Sequence, residues 1–308
     1  MTIQQLEYIL AVEQFRHFAK AAEYCSITQP TLSAMIQKLE EELGVKLFDR
    51  SVQPISPTFI GQKILRQARL VLTQVSHVKE IIAEEQEQLS GIFRLAVLPT
   101  IAPYLLPRFF PELIEEHSNL DMRVTEMKTL DIRQALLTDE IDAAIIASAP
   151  EEGLFHEETL FYEEFYAYIS RKEVLFKHEL IRTSDITGER LWLLDEGHCF
   201  RDQLVRFCQM EAVKLSQMAY KLGSMETFMH MVESGKGITF VPNLAVLQFN
   251  DEQKELVRPF AIPRPTRRIV LVTNKNFIRH KLLNTLKEKI RASVPPEMLQ
   301  LQVTQVLV

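Results

Sequence analysis

The sequence predicts an α/β protein in three parts: a compact helical head with a winged hairpin, one long helix, and a two-lobed domain of alternating strands and helices. Three observations carry that prediction. Apolar residues repeat at helical spacing through 1–57, a heptad-like apolar stripe runs through 58–90, and short β-branched and aromatic runs alternate with amphipathic stretches over 91–308.

Composition narrows the class. A chain of 308 residues, 46% hydrophobic and 25% charged, holds enough apolar material for more than one core and is not disordered. No uninterrupted apolar run approaches the roughly 18 residues of a membrane span. The opening MTIQQLEYILAVEQ lacks the basic region and cleavage site of a secretory signal, so the expectation is a cytoplasmic protein with no membrane partner. A net charge of −6 argues against indiscriminate nucleic-acid binding but leaves local binding open. Three cysteines cannot all pair within one chain, and a reducing cytosol keeps thiols free, so any disulfide here is transient and regulatory.

In the head, LEYILAVEQF and FAKAAEYC read as two helices, Ala21 and Ala22 permitting close packing, with SIT as a tight connection. QPTLSAMIQKLEEELG reads as a third. Thr28 is its N-cap, Pro30 sits in the first turn where a missing N–H costs nothing, and Gly44 stands just past the end. Leu32, Ile36, Leu39 and Leu43 then share one face. A short turn between two helices, the second opening on polar residues, is the helix-turn-helix pattern. Gln29, Thr31, Ser33 and Gln37 would point toward base edges and phosphates, with Pro30 and Lys38 on the same helix. VKLFDRSVQPISPT has the turn-rich composition of a wing, and Arg50 is a natural phosphate contact. Lys and Arg number nine against eleven Asp and Glu over 1–90, so the placement of Arg16, Lys20, Lys38 and Arg50 matters more than the sum. A helical bundle that binds protein is the alternative reading.

Through 58–90, Ile64, Ala68, Val71, Val75, Val78, Ile82 and Leu89 recur at fours and threes, with one step missed at Glu85. A single helix cannot hide so narrow a seam, so it is expected to pair with a second copy and make a homodimer; packing onto the chain's own body is the alternative. Ser90 and Gly91 mark a boundary.

From 91 on, FRLAVLP, MRVTEMK and DAAIIAS read as strands separated by the helices IAPYLLPRFFPELIEEH and DIRQALLTDE, an order that implies a mostly parallel sheet. FYAYISR, LWLL, AYKLG and ITFVP form a second set, with RDQLVRFCQME and METFMHMVES as helices. RRIVLVTN and a final amphipathic helix return the chain to the first sheet. Lobe I is then about 91–162 plus 267–308, lobe II about 163–266, and a ligand site is expected in the cleft between them. Thr100, Thr129 and the pair His198–Cys199 each follow a strand, so these polar groups converge there.

The segment AAEYCSITQPTLSAMIQKLEEELGVKLFDR resembles the head of LysR-type transcription regulators, and the resemblance extends over essentially the whole chain. It implies a winged helix-turn-helix DNA-binding domain at 1–57, a linker and dimerisation helix at 58–90, and a periplasmic-binding-protein-like regulatory domain at 91–308. The implied function is transcription regulation on double-stranded promoter DNA, not catalysis. GHCFRDQ with Cys208 downstream, LPTIAPYLLP and ESGKGITFVP resemble the hydrogen peroxide-sensing branch of that family. That implies Cys199 as the peroxide-reactive thiol and Cys208 as its resolving partner in a reversible disulfide. Thr100, Thr129, His198, Asp202 and Arg267 would line the pocket, with Arg268 beside Arg267 leaving open which of the two does so. The resemblance also implies RNA polymerase and a glutaredoxin- or thioredoxin-type thiol reductant as partners, a homotetramer, and no cofactor.

The chemistry has physical requirements of its own. A peroxide-reactive cysteine must be largely thiolate, whereas a free thiol titrates near ~8.5. Cys199 stands where a loop enters the helix FRDQLVRFC; the helix dipole supplies ~1 kcal/mol, and a hydrogen bond from His198 or a nearby arginine must add more. Threonine hydroxyls, an imidazole and a guanidinium suit the charge developing on the leaving oxygen. If 200–209 is helical, a rise of ~1.5 Å per residue separates the two cysteines by more than ~10 Å, against ~7 Å tolerated by a disulfide. Pairing must therefore unwind the segment and extract Cys208, which Phe200, Leu204 and Phe207 place on an apolar stripe. Plainer roles stand beside these: Cys208 as a core residue, Cys25 as packing, His198 as a cap, Thr100 and Thr129 as caps of the helices after them, and Met225, Met229 and Met231 as core. His156, His178, His230 and His280 have no metal-ligand spacing. A small organic anion in the cleft, a thiol peroxidase and a pure interaction module are the rival functions.

Overall fold

The structure, a computed structural model, describes residues 1–85, 89–147, 154–186, 191–194, 200, 203–204, 207–208 and 224–308. It divides into two compact units, Met1–Glu87 and Gln88–Val308.

In the first unit, α1 (Ile3–Phe15) is closed by Thr2, whose hydroxyl accepts from the Gln5 N–H while the Gln5 side chain returns the bond. Helix α2 (Phe18–Tyr24) starts at His17, and Ser26, at φ 58°, makes the turn to α3 (Gln29–Leu43). The expected punctuation of α3 is present: Thr28 caps it, Pro30 is in the first turn, and Gly44 ends it at φ 69°. Leu32, Ile36 and Leu39 are fully buried among Leu6, Ile9, Val12, Ala21 and Leu47. Leu43 is exposed instead. The inward position of that last turn belongs to Glu40, because the chain entering the wing needs an acceptor there. The wing is β1 (Phe48–Asp49) paired antiparallel with β2 (Ser56–Pro57). Helix α4 runs Phe59–Glu85, and a Cβ on Gly61 in its first turn would lie 2.0 Å from the carbonyl oxygen of Leu47. Its stripe divides: Ala68 is buried and Ile64 and Val71 pack on the head's core, whereas Val78 and Ile82 are 61% and 58% exposed. Packing onto the chain's own body therefore holds for the first half of the seam. Leu89 lies beyond the helix and packs against the core of the second unit.

The second unit is built on an eight-stranded sheet. Strands β3 (Gly91–Val97), β4 (Leu120–Glu126) and β5 (Ala143–Ala147) are mutually parallel in the order β4-β3-β5, with α5 (Ala102–Glu116) and α6 (Thr129–Leu137) between them. The rest of the sheet corrects the expectation of a mostly parallel one. Strand β9 (Arg264–Asn274) runs antiparallel to β5, and the 15-residue β6 (Phe155–Ile169) runs antiparallel to β9. β6 then continues past β9 to pair antiparallel with β7 (Ile238–Pro242) and β8 (Val257–Pro259). One long ribbon carries the chain from one end of the sheet to the other, and its direction is set by the return path rather than by βαβ order. The C-terminal β10 (Gln305–Leu307) adds parallel to β9.

Around this sheet lie α7 (Met225–Ser234), α8 (Asn243–Val246), α9 (Asp251–Lys254) and α10 (His280–Ser293). The expected LWLL strand is reduced to one bridge, Leu191 to Ile238, and the expected AYKLG strand lies outside the described residues. Among the described residues no helix is long and apolar enough to cross a membrane.

Candidate functional site

Two constellations carry chemistry, one in each unit. On the head, α3 presents Gln29, Pro30, Thr31, Gln37 and Lys38 to solvent and half-buries Ser33. Thr31 also bonds the capping hydroxyl of Thr28 at 2.8 Å, and Gln37 Nε2 donates to Glu41 at 2.9 Å. Arg50 is exposed but not unattached. Its Nη2 lies 3.3 Å from the buried Glu40 carboxylate, and its guanidinium stacks over Phe18 at 5.0 Å. Sequence reasoning missed Glu40. The signal was available, since Glu40 continues the fours of Leu32 and Ile36 on an otherwise apolar face.

In the second unit the centre is Arg267, fully buried on β9. The β6–β9 register sets Glu163 directly opposite it, and that carboxylate is also buried. Arg267 Nε donates to Glu163 Oε2 at 2.9 Å, and Nη2 lies 2.7 Å from the same oxygen. Nη1 donates to the Thr100 hydroxyl and Nη2 to the Thr100 carbonyl, both at 3.0 Å. Glu163 spends its second oxygen on the Leu244 N–H at 3.0 Å, in the first turn of α8. The pair is thereby hydrogen-bonded on both sides, which a buried charge pair requires. Neither Thr100 nor Thr129 caps the helix after it: the N-cap positions are Ile101 and Lys128, without side-chain bonds. The Thr129 hydroxyl oxygen is shielded from solvent and has no hydrogen-bond partner among the described residues.

Alternation along β9 sends Arg268 to the other face, where it pairs with Glu157 at 2.7 Å. Of the two arginines, Arg267 is the one bonded to Thr100. The ring of Phe200 lies 5.4 Å from the Arg267 guanidinium and meets Phe165 edge-on at 5.0 Å. His198, Cys199 and Asp202 lie outside the described residues. Phe200, Gln203, Leu204 and Phe207 have helical backbone, and the Cys208 N–H donates to the Leu204 carbonyl at 2.9 Å. Cys208 is a free, buried thiol, and loss of solvent pushes its pKa up to about 12. Cys25, partly buried at the end of α2, is also raised, by burial first and by Glu7 second.

Beside Thr100 opens a cleft of about 190 Å³, lined by Pro99, Tyr104, Glu126, Leu194, Ser224 and Glu226 among others. Burial raises the Tyr104 pKa, with Glu226 adding to the shift. Among the described residues no cluster of His, Cys, Asp and Glu is arranged to hold a metal.

Comparison with known proteins places both units in one family. Residues 3–62 match the family model described as bacterial regulatory helix-turn-helix protein, lysR family, and residues 86–295 match the LysR substrate binding domain. The hydrogen peroxide-inducible genes activator of Dickeya chrysanthemi is 38% identical over 272 residues, 88% of this chain and 89% of that protein. The crystal structure of OxyR from Porphyromonas gingivalis is 52% identical with a TM-score of 0.66, covering 71% of this chain and 99% of that one. A full-length OxyR variant from Pseudomonas aeruginosa is 33% identical with a TM-score of 0.74, covering 94% and 98%.

Proposed function

The chain belongs to the LysR family of bacterial helix-turn-helix transcription regulators, and we propose that it senses hydrogen peroxide through a reversible Cys199–Cys208 disulfide. The family is one of DNA-binding regulators rather than enzymes. The relatives named as peroxide-inducible activators and as OxyR support the extension to this chain. The observation that carries it is the ring of Phe200, the residue after Cys199, seated on an arginine already bonded to Thr100.

In this reading Cys199 is the redox-active thiolate, with Thr100, Thr129, His198, Asp202 and Arg267 around the peroxide. Its sulfur attacks one oxygen, the O–O bond breaks, and a sulfenic acid forms as hydroxide leaves and takes a proton to become water. The Cys208 sulfur then attacks the sulfenic sulfur, forming the S–S bond and releasing a second water. Two thiols are oxidised and one peroxide is reduced to two waters. Arg267 spends four donor contacts on Glu163 and Thr100 and keeps one Nη1 hydrogen, while the Thr100 hydroxyl, accepting from Arg267, keeps its own hydrogen to donate. The shielded Thr129 hydroxyl oxygen supports the same pocket. Cys208, buried and held by its backbone bond to Leu204, must leave that position to reach Cys199, so oxidation is coupled to local refolding.

On the head, Gln29, Pro30, Thr31, Ser33, Gln37 and Lys38 are assigned to the major groove and Arg50 to phosphate. The exposed Val78 and Ile82 support pairing of α4 with a second copy; assembly into a tetramer, contact with RNA polymerase, reduction by a cytoplasmic thiol reductant and a cytoplasmic location complete the proposal.

Differential thiol labelling read by mass spectrometry tests the switch. One equivalent of peroxide should remove Cys199 and Cys208 together from the labelled pool and leave Cys25 in it. Retention of both thiols while target transcription still responds is the result that overturns the reading. The cleft beside Thr100 favours a second one, a small organic effector. Its Glu126 and Glu226 disfavour an anion, and effector-dependent DNA binding by the Cys199→Ser/Cys208→Ser variant would support it.

A further inference from the structure

The Glu40 side chain is 1% exposed, on the inward face of α3. Its Oε1 accepts the backbone N–H groups of Leu47 at 2.8 Å and Phe48 at 3.4 Å, where the chain enters the wing. Its Oε2 accepts Lys46 Nζ at 3.2 Å and Arg50 Nη2 at 3.3 Å. Arg50 is restrained on two further sides. Nη1 lies 3.4 Å from Ser33 Oγ on α3, and the guanidinium carbon stands 5.0 Å from the Phe18 ring centroid on α2. Both helices of the helix-turn-helix and the wing thus meet at one guanidinium, whose side chain remains 38% exposed. Arginine carries five N–H donors, and these bonds leave several directed outward. A long side chain that waves in solvent loses rotamer freedom when it grips a phosphate, whereas this one has lost it on folding.

We propose that Glu40 is a positioning residue for DNA binding: its buried carboxylate presets Arg50 against Ser33 and Phe18, so that α3 and the wing meet the phosphate backbone as one rigid surface. The proposal rests on the reading of the head as a DNA-binding surface. The sign of the effect separates it from bulk electrostatics. Removing a negative charge beside DNA strengthens attraction for phosphate; removing a positioning carboxylate weakens it.

The test uses the full-length chain and a duplex that it has itself selected from a random pool, with affinity measured across a salt series for wild type, Glu40→Gln, Arg50→Gln and the double variant. Glutamine keeps an acceptor for the Leu47 and Phe48 N–H groups and removes the charge that holds Arg50. Each single variant should bind on the order of ten-fold more weakly and lower the slope of log affinity against log salt by about 1. The double variant should fall no further than Arg50→Gln alone. Unchanged or tighter binding by Glu40→Gln, additive losses in the double variant, or wild-type behaviour of Arg50→Gln overturns the proposal. If Glu40→Gln does not fold, Arg50→Lys replaces it: lysine keeps the charge but not the fork that spans Glu40 and Ser33 over Phe18, so ten-fold weakening is again expected and wild-type affinity overturns the proposal. Absence of any salt-dependent binding by the wild-type chain is instead the failure of the DNA-binding reading beneath it.

Discussion

Each unit holds a glutamate whose side chain is 1% exposed against an arginine, and the two pairs differ in what the arginine has left to give. In the head, Arg50 is 38% exposed and keeps outward donors; in the second unit, Arg267 is 0% exposed and its donors are nearly all committed to Glu163 and Thr100. A half-exposed arginine held by a buried carboxylate is a presented contact. A fully buried one is an organiser, fixing the residues that share it: β9, β6, the turn after β3 and the first turn of α8. Water makes the difference, because it screens one pair and is excluded from the other.

Breaking each pair sharpens this contrast, and the buried one should cost most. Arg267→Met leaves Glu163 charged and buried without its partner, and should destabilise the regulatory unit by about 3–5 kcal/mol; pairing it with Glu163→Leu should recover a large part of that loss. Urea unfolding of the three variants checks it, and equal loss in single and double variants would mean that packing rather than the orphaned charge dominates. The thiols provide a second comparison across the units. At pH 8, iodoacetamide should modify Cys25 about 100-fold faster than Cys208, and Cys208 should not catch up until the chain is unfolded. The raised Cys208 pKa adds a pH signature. Its share of stability is intact below the ordinary thiol value of 9.0 and is lost as pH climbs toward about 12, so Cys208→Ala should flatten the fall in stability over that window.

Smaller effects test the head. Glu40→Gln should lower its stability by only about 1–2 kcal/mol, because the paired arginine is left in contact with water rather than sealed in. If this variant costs as much as Arg267→Met, the contrast between presented and organising arginines fails. Smallest and equal should be the two caps. Thr28 and Ser224 each accept from the N–H three residues on and share a 2.8 Å hydroxyl bond with the threonine there. Alanine at either should cost about 1 kcal/mol in thermal unfolding.

What was legible in the residues follows the range of the forces involved. The limits of α3, with Thr28, Pro30 and Gly44, and of α7 over METFMHMVES follow from local rules and stand in the structure. The strand direction did not follow, because β9 and β6 pair across more than a hundred residues, and periodicity is silent about which way a returning strand points. Glu163, in the run FYEEFYAYI, escaped for the same reason, because its arginine lies 104 residues on. Glu40 needed no such range: its place on an apolar stripe marked it, and its arginine is ten residues away. Leu89 kept the helical rhythm of α4 on paper yet belongs to the next core. In the candidate site a strand end pointed to Thr100 and the family resemblance to Arg267 or Arg268, whereas the direct bond between Arg267 and Thr100 and the role of Glu163 needed three dimensions.

The burial of Cys208 imposes an order of events. With its pKa pushed up to about 12, on the order of one molecule in 10⁵ carries an ionised sulfur there at neutral pH. Stray disulfides and passing electrophiles therefore meet a slow nucleophile while the thiol stays buried. In the proposed switch the second sulfur becomes available only when its bond to Leu204 opens, so the rate of the pairing step is set by that opening rather than by the thiol's own chemistry.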